Sequence, residues 1–260
     1  MTEHWDVEAI ADELLNCEAT RRAREPFTDD WPNLSVQAAY AIQDETLDRR
    51  LQRGESLTGV KLGLTSRAKQ ARMGVNFPIV AWLTDAMTIP RGQPIPTTRF
   101  IHPRVEPEIV FVMGRDLAGP GATCATAMAA VELIMAGAEV IDSRYANFRF
   151  QAPDVIADNA SSGGYIIGGV TVRPDQIDLA CEAVSVEVDG RIVDTATGSA
   201  ILGHPGEALA LAANQLAERG MTIRAGQIVL TGGITDAYPV TGDANLVFRF
   251  AHLGSIHLFS

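Results

Sequence analysis

The stretch His102-Pro103-Arg104-Val105-Glu106-Pro107-Glu108-Ile109-Val110-Phe111-Val112 constrains this chain more than any other. It reads as a β-strand, and a strand points residues i and i+2 to the same face. Glu106 and Glu108 therefore share a face with Val110 and Val112, which are interior types. Two carboxylates about 7 Å apart along a strand, opening onto an apolar face, repel each other and resist burial. A divalent cation with oxygen ligands compensates for them most simply. The pair also admits a second reading, an edge strand carrying two solvated acids, because Pro107 cannot donate to a ladder.

A chain of 260 residues suits one large domain, or one domain with an appendage, and can bury a substantial core. The net charge of -11, with no local cluster of Lys and Arg, disfavours nucleic acid and anionic membrane surfaces as partners. Cys17, Cys124 and Cys181 are far apart and form no CxxC. They make neither a disulfide framework nor a zinc signature, and they fit a reducing cytoplasm. The polar, acidic segment from Met1 to Asp6 predicts no signal peptide. The most apolar segment, Ala125 to Ile141, contains Glu132 and Glu139 and is too short to span a bilayer.

Along the chain, Asp6 caps a first helix whose stripe is Val7, Ile10, Ala11, Leu14 and Leu15. Ser35 caps a second, closed by Gly54. Ser66 caps a short third that ends at Gly74. Phe77 to Met87 reads as irregular to extended, and Thr123 to Gly137 as a buried, Ala-rich helix. Asp189-Gly190 predicts a type I′ hairpin between Ala183–Val188 and Arg191–Val193. His204-Pro205 opens a helix that Gly220 closes, and strands over Gln227–Thr231, Asn245–Ala251 and Ser255–Phe259 complete the sheet. Helices do not alternate regularly with strands, so the expected class is α+β with a strand-rich core and a small helical N-terminal region.

Three further features carry chemistry. In Gly59-Val60-Lys61-Leu62-Gly63-Leu64-Thr65, Lys61 alternates with Val60 and Leu62 and has small neighbours on its own face. It reads as an exposed edge-strand lysine or as a cation with room beside its stem. Glu139, in Ala138-Glu139-Val140-Ile141-Asp142-Ser143-Arg144-Tyr145, is a third acid in an apolar setting, and either a site carboxylate or the partner of a nearby arginine. Ile156 to Gly169 is rich in small polar residues and glycine but matches neither G-x-G-x-x-G nor a P-loop, so no nucleotide site follows. It reads as a turn or as a loop facing a ligand.

Taken together, Gly59–Ser66, Pro103–Glu108, Glu139–Tyr145, Ala157–Ser162 and Thr231-Gly232-Gly233-Ile234-Thr235 resemble the hydratase/decarboxylase family of aromatic meta-cleavage pathways, a branch of the fumarylacetoacetate hydrolase superfamily. The resemblance runs over nearly the whole chain with the motifs in order. It implies a mixed β-roll core, with residues 1–75 as an N-terminal helical region contributing Lys61 and residues 76–260 as the catalytic domain. It implies a Mg²⁺ or Mn²⁺ site on Glu106, Glu108 and Glu139, a catalytic Lys61, and substrate contacts at Leu62, Ser161, Thr231 and Thr235. It also implies a cytoplasmic, oligomeric enzyme able to associate with the pathway hydratase. Hydratase members tend to carry an acid in a Pro-Asp-Phe-Gly segment where this chain has Pro78-Ile79-Val80-Ala81. That departure favours the decarboxylase branch over the hydratase branch.

The chemistry implied is loss of CO₂ from a small dicarboxylic 2-oxo acid, a 2-oxo-3-enedioate. The metal polarises the ketone, Lys61 supports the charge of the resulting dienolate, and an apolar surround helps the distal carboxylate to leave. Ile79, Val80 and Trp82 are candidates for that surround, and Arg104 and Arg144 are both candidates to steer the dianion.

Overall fold

A computed structural model describes residues 6–242 and 245–260. The N-terminal segment read as free of a signal peptide lies, in residues 1–5, outside the described residues. The first elements are helices α1 (Val7–Thr20), α2 (Phe27–Asp30) and α3 (Val36–Gln52), strand β1 (Leu57–Gly63), helix α4 (Arg67–Met73) and strand β2 (Ile79–Thr84). Strand β3 (Arg104–Met113), helix α5 (Cys124–Ala130), strand β4 (Val131–Ile141), helix α6 (Ala152–Ala157) and strand β5 (Ser162–Ile167) follow. The rest comprises β6 (Ala183–Val188), β7 (Arg191–Thr197), α7 (Pro205–Glu218), β8 (Ile228–Leu230), β9 (Tyr238–Pro239), β10 (Leu246–Phe250) and β11 (Ser255–Leu258). Among the described residues no helix is long and apolar enough to cross a membrane.

The expected helix starts hold for a local reason. Asp6, Ser35 and Ser66 each accept a backbone N–H three residues on, from Ala9, Ala38 and Lys69. The Asp189-Gly190 turn has both residues at positive φ, as a type I′ hairpin requires.

The strands form two sheets, β2-β1-β8-β3-β4-β5 with β9 added beside β3, and β11-β10-β6-β7. β1 and β8 run parallel and the other neighbours antiparallel, so the larger sheet is mixed and the α+β roll expected from the sequence is present. Its two faces divide the residues cleanly. Val60, Leu62, Val105, Ile109, Phe111, Ala136 and Ala138 enter the main core with Val186, Phe248 and Ile256 of the smaller sheet. The opposite face is covered in part by the N-terminal helices, where Ile10, Leu14, Phe27 and Ile42 pack with Ile79, Ala81 and Ile156.

Three expectations are corrected. The helix read over Thr123–Gly137 stops at Ala130, and Val131–Ile141 is β4. Ten residues of β3 pair with it, and that long-range ladder overrides the helical preference of the alanines. The extended reading of Phe77–Met87 sharpens into β2. Its alternation sends Val80 and Trp82 into the main core, and Ile79, Ala81 and Leu83 to the opposite face. Pro107 does not mark a sheet edge, since β3 lies inside the sheet. It falls between the β9 pairing at Arg104–Val105 and the β8 pairing at Val110–Val112. The loop after β8 fills that gap, with the Ile234 amide donating to the Pro107 carbonyl at 3.0 Å.

Candidate active site

Register brings the three acids together. Glu106 lies directly opposite Glu139 across the β3–β4 ladder, and Glu108 is the next residue on the same face of β3. Like charges directly opposed destabilise a sheet, yet Glu108 and Glu139 are fully buried and Glu106 nearly so. One carboxylate oxygen from each lies within 4.8 Å of the other two. Glu108 Oε2 accepts the Gly232 amide at 2.7 Å, while Glu108 Oε1 is buried with no hydrogen-bond partner. An orphaned carboxylate oxygen facing two more carboxylates fits a hard divalent cation, which takes oxygen ligands only. The glycine loop is shaped around this group, because a Cβ on Gly233 would stand 2.0 Å from Glu106 Oε2.

Two lysines flank the acids. Lys61, expected from the N-terminal helical region, sits on β1 of the larger sheet and is buried. Its ammonium donates to both oxygens of Glu139, at 3.0 and 3.1 Å, and to the Ala160 carbonyl at 2.7 Å. Lys69, on α4, donates to Glu106 Oε2 at 3.3 Å and to the carbonyls of Gly233 and Thr235. The Ser162 hydroxyl donates to Glu139 Oε1 at 3.2 Å. Burial pushes the Glu108 carboxyl well above the usual range, and the charges of Glu139 and Glu106 add to this while Lys61 opposes it. Glu139 is raised too, by burial, with Lys61 pulling against it. Carboxyls raised in this way keep their protons to higher pH, so metal entry competes with protons. Titrating the metal-free protein with Mg²⁺ near neutral pH is expected to release protons. The apparent binding enthalpy should therefore differ between buffers of different ionisation enthalpy, and identical enthalpies would contradict the raised carboxyls.

The remaining contacts come from the small-residue loop. Asn159, Ala160 and Ser161 all have positive φ, a strained run for residues other than glycine. It is held because the Asn159 side chain accepts from the Trp82 amide and donates to the Trp82 carbonyl. Asp158 accepts from the Ser161 hydroxyl at 3.2 Å and from the backbone and side chain of Arg144. Arg144 is thus not a substrate-steering residue. It is buried and saturated by Asp158 and by the carbonyls of Asp142 and Ser162. Burial lifts Asp158 to about 6 even against this pairing. Replacing Arg144 by Met would strand a buried carboxylate, at a cost of about 3–5 kcal/mol. The expected result is a melting temperature lower by roughly 10 °C, with partial recovery in Arg144→Met/Asp158→Asn.

The other expected contacts are mixed. Ser161 lines the cavity over the acids. Thr231 is buried with its hydroxyl on the Ile109 carbonyl. Thr235 turns its hydroxyl to the Asp236 carbonyl and offers its own carbonyl to Lys69. The Leu62 side chain lies in the main core, on the face opposite Lys61. The cavity has a volume of about 690 Å³, and its apolar wall is made by Ile79, Ile141, Phe148, Phe150 and Val155. Val80 and Trp82 take no part in it. Ile79 stands across from Gly63, where a Cβ would meet it at 2.8 Å. Sequence reasoning missed Lys69, Ser162, Phe148 and Asp158. Lys69 carried only a helix-cap signal, and Asp158 lay in a loop whose partner was visible only as one of two candidate arginines.

The chain is similar to known proteins along most of its length. The fumarylacetoacetate (FAA) hydrolase C-terminal family model matches residues 56–257. Over 248 residues the chain is 42% identical to a 4-oxalocrotonate decarboxylase of Pseudomonas putida, covering 95% of this chain and 94% of the relative. A 2-hydroxypent-2,4-dienoate hydratase of Pseudomonas putida is 38% identical over 216 residues, covering 83% of this chain and 97% of the relative. The solved structure of 4-oxalocrotonate decarboxylase from Pseudomonas putida G7, complexed with magnesium and adipate, is 40% identical with a TM-score of 0.95, covering 97% of this chain and 96% of that one.

Proposed function

The chain belongs to the fumarylacetoacetate hydrolase family, and from that premise we propose that it is a metal-dependent carboxy-lyase that decarboxylates 2-oxo-3-hexenedioate (4-oxalocrotonate). The products are CO₂ and 2-hydroxypenta-2,4-dienoate, and the setting is meta-cleavage catabolism of aromatic compounds. One observation carries the reading: buried Glu106, Glu108, Glu139 and Lys61 meet beneath a cavity whose wall includes Ile79, where the hydratase branch tends to carry an acid. The match to a decarboxylase over 95% of the chain supports it.

Glu106, Glu108 and Glu139 hold Mg²⁺ or Mn²⁺. The cation, when bound, supplies positive charge where negative charge develops on the substrate's C2 oxygen. In the reaction the C5–C6 bond breaks and C6 leaves as CO₂. The bonding pair forms C4=C5, the C3=C4 pair moves to C2–C3, and the ketone oxygen takes the last pair. Lys61, fixed by Glu139 and the Ala160 carbonyl, is a preorganised donor to that oxygen. Ser161 faces the substrate, the loop from Thr231 to Thr235 braces Glu108 and Lys69 through its backbone, and Leu62 takes part through its backbone alone. Ile79, Phe148 and Phe150 keep water from the carbon chain.

The test is a paired assay with Mg²⁺. The purified protein is expected to release CO₂ from 2-oxo-3-hexenedioate. Consumption of 2-hydroxypenta-2,4-dienoate without CO₂ release would instead make it a hydratase, the reading favoured by the 38% identical relative. We further place the enzyme in the cytoplasm, as an oligomer associating with the hydratase that consumes its reactive dienol. Co-elution of the two on size-exclusion chromatography is the check.

A further inference from the structure

The cavity above the acids is lined by five cations: Lys61, Lys69, Arg72, Arg104 and Arg149. Three are committed. Lys61 serves Glu139, Lys69 serves Glu106, and Arg149 is paired with Glu25 and Asp29. Arg72 and Arg104 have no ion-pair partner among the described residues. Arg104 differs from Arg72 in being positioned. Its backbone pairs with Ile141 of β4 and Pro239 of β9, and its guanidinium lies over the Phe148 ring at 4.2 Å from the centroid. Arg72 is exposed on the short helix α4, and among the described residues no side-chain hydrogen bond, ion pair or ring contact orients it.

The strand itself sets the distance. Arg104, Glu106 and Glu108 occupy successive same-face positions on β3, so neighbours in this row are about 7 Å apart. A six-carbon chain with C–C bonds of about 1.5 Å spans about 6 Å end to end. A dicarboxylate whose 2-oxo end sits at the acids therefore brings its far carboxylate beside the Arg104 guanidinium.

We infer that Arg104, seated on the Phe148 ring, is the specificity-determining residue that receives the distal carboxylate of the substrate and so selects dicarboxylates over monocarboxylates. The inference rests on the proposed reading of the site as one for a 2-oxo-3-enedioate. Arg104 is exposed, and that suits the reaction. The distal carboxylate must lose its charge to leave as CO₂, so a buried, tight ion pair would stabilise the ground state more than the transition state. An exposed guanidinium screened by water attracts the dianion without holding it in that state. Arg104 should accordingly govern KM and leave kcat nearly unchanged.

Two unreactive probes separate the ends of the ligand: 2-oxoadipate, which lacks the double bond, and 2-oxohexanoate, in which a methyl replaces the distal carboxylate. Calorimetric titration of the Mg²⁺-loaded protein is expected to show a preference for 2-oxoadipate of about fivefold to tenfold. Arg104→Gln should remove that preference and leave 2-oxohexanoate binding unchanged. Arg104→Lys should retain part of it, and Arg72→Gln all of it. With substrate, Arg104→Gln should raise KM by a similar factor while kcat stays within about twofold. The inference is overturned if the preference survives Arg104→Gln, if it is lost in Arg72→Gln, or if both probes weaken equally. A wild-type protein that shows the Arg104-dependent preference but releases no CO₂ would refute the decarboxylase reading and leave the role of Arg104 standing.

Discussion

Replacing Glu108 by Gln is expected to abolish Mg²⁺ binding and activity while making the metal-free protein more stable. The two effects have one cause. Glu108 is fully buried beside Glu106 and Glu139, and one of its oxygens has no partner. With a cation present that oxygen is a ligand, and without one the carboxyl either keeps a proton or, at higher pH, carries an uncompensated charge. Glutamine keeps the shape, so its Oε1 can still accept the Gly232 amide and its Nε2 has the Glu139 carboxylate nearby. Loss of the cation's charge from the reaction centre should cut kcat by about a thousandfold or more, about 4 kcal/mol of barrier. Removing a crowded buried charge should add about 1–3 kcal/mol to the metal-free fold. The pH dependence follows from the raised Glu108 carboxyl. Its contribution to stability is present below the unfolded value of 4.5 and is lost as pH rises through the higher folded value. The stability gain of the variant should thus be largest above neutrality and fade toward pH 4.5. Thermal melts of both proteins from pH 5 to 8, with and without Mg²⁺, check this. A variant less stable than wild type at pH 8 without metal would contradict it.

The sequence carried much of this site, and the limits are physical. The period-2 pattern of β3 placed Glu106 and Glu108 on one face with Val110, and the structure keeps that face. Helix caps were legible because each is a bond within three residues. What stayed hidden depends on register between distant segments. Nothing local states that Glu139 stands opposite Glu106, and the Ala-rich run before it looked helical until pairing with β3 is known. The family resemblance, not periodicity, linked Glu139 to the other two acids. The choice between Arg104 and Arg144 was equally invisible. It turns on Asp158, which comes within reach of Arg144 only when the loop at Asn159–Ser161 folds back. Val80 and Trp82 were misassigned because a buried strand of continuous apolar residues does not announce which side faces the cavity.

Lys61→Met should produce the complementary phenotype, with catalysis lost while metal binding is kept. The lysine contributes no ligand to the three carboxylates, so its removal leaves the oxygen donors intact and takes away a competing cation. Mg²⁺ affinity near pH 8 is expected to be equal to wild type or higher. Turnover is expected to fall by roughly 10²–10³-fold, because among the described residues no other buried cation lines the cavity where the dienolate oxygen forms. The metal-free variant should also be destabilised by about 3–5 kcal/mol, since Glu139 loses both contacts from the ammonium and the Ala160 carbonyl loses its donor. Glu139 is already raised by burial, and without Lys61 it is raised further. A group raised in the fold adds stability below its unfolded pKa and loses it as pH climbs through the folded one. The deficit should therefore grow with pH, shrink toward pH 4.5, and be partly repaired by Mg²⁺ as a replacement counter-charge. Melting curves across that range, read beside calorimetric Mg²⁺ titrations, separate this from a ligand defect. If Mg²⁺ binding disappears along with activity, Lys61 is organising the metal site and not serving the reaction.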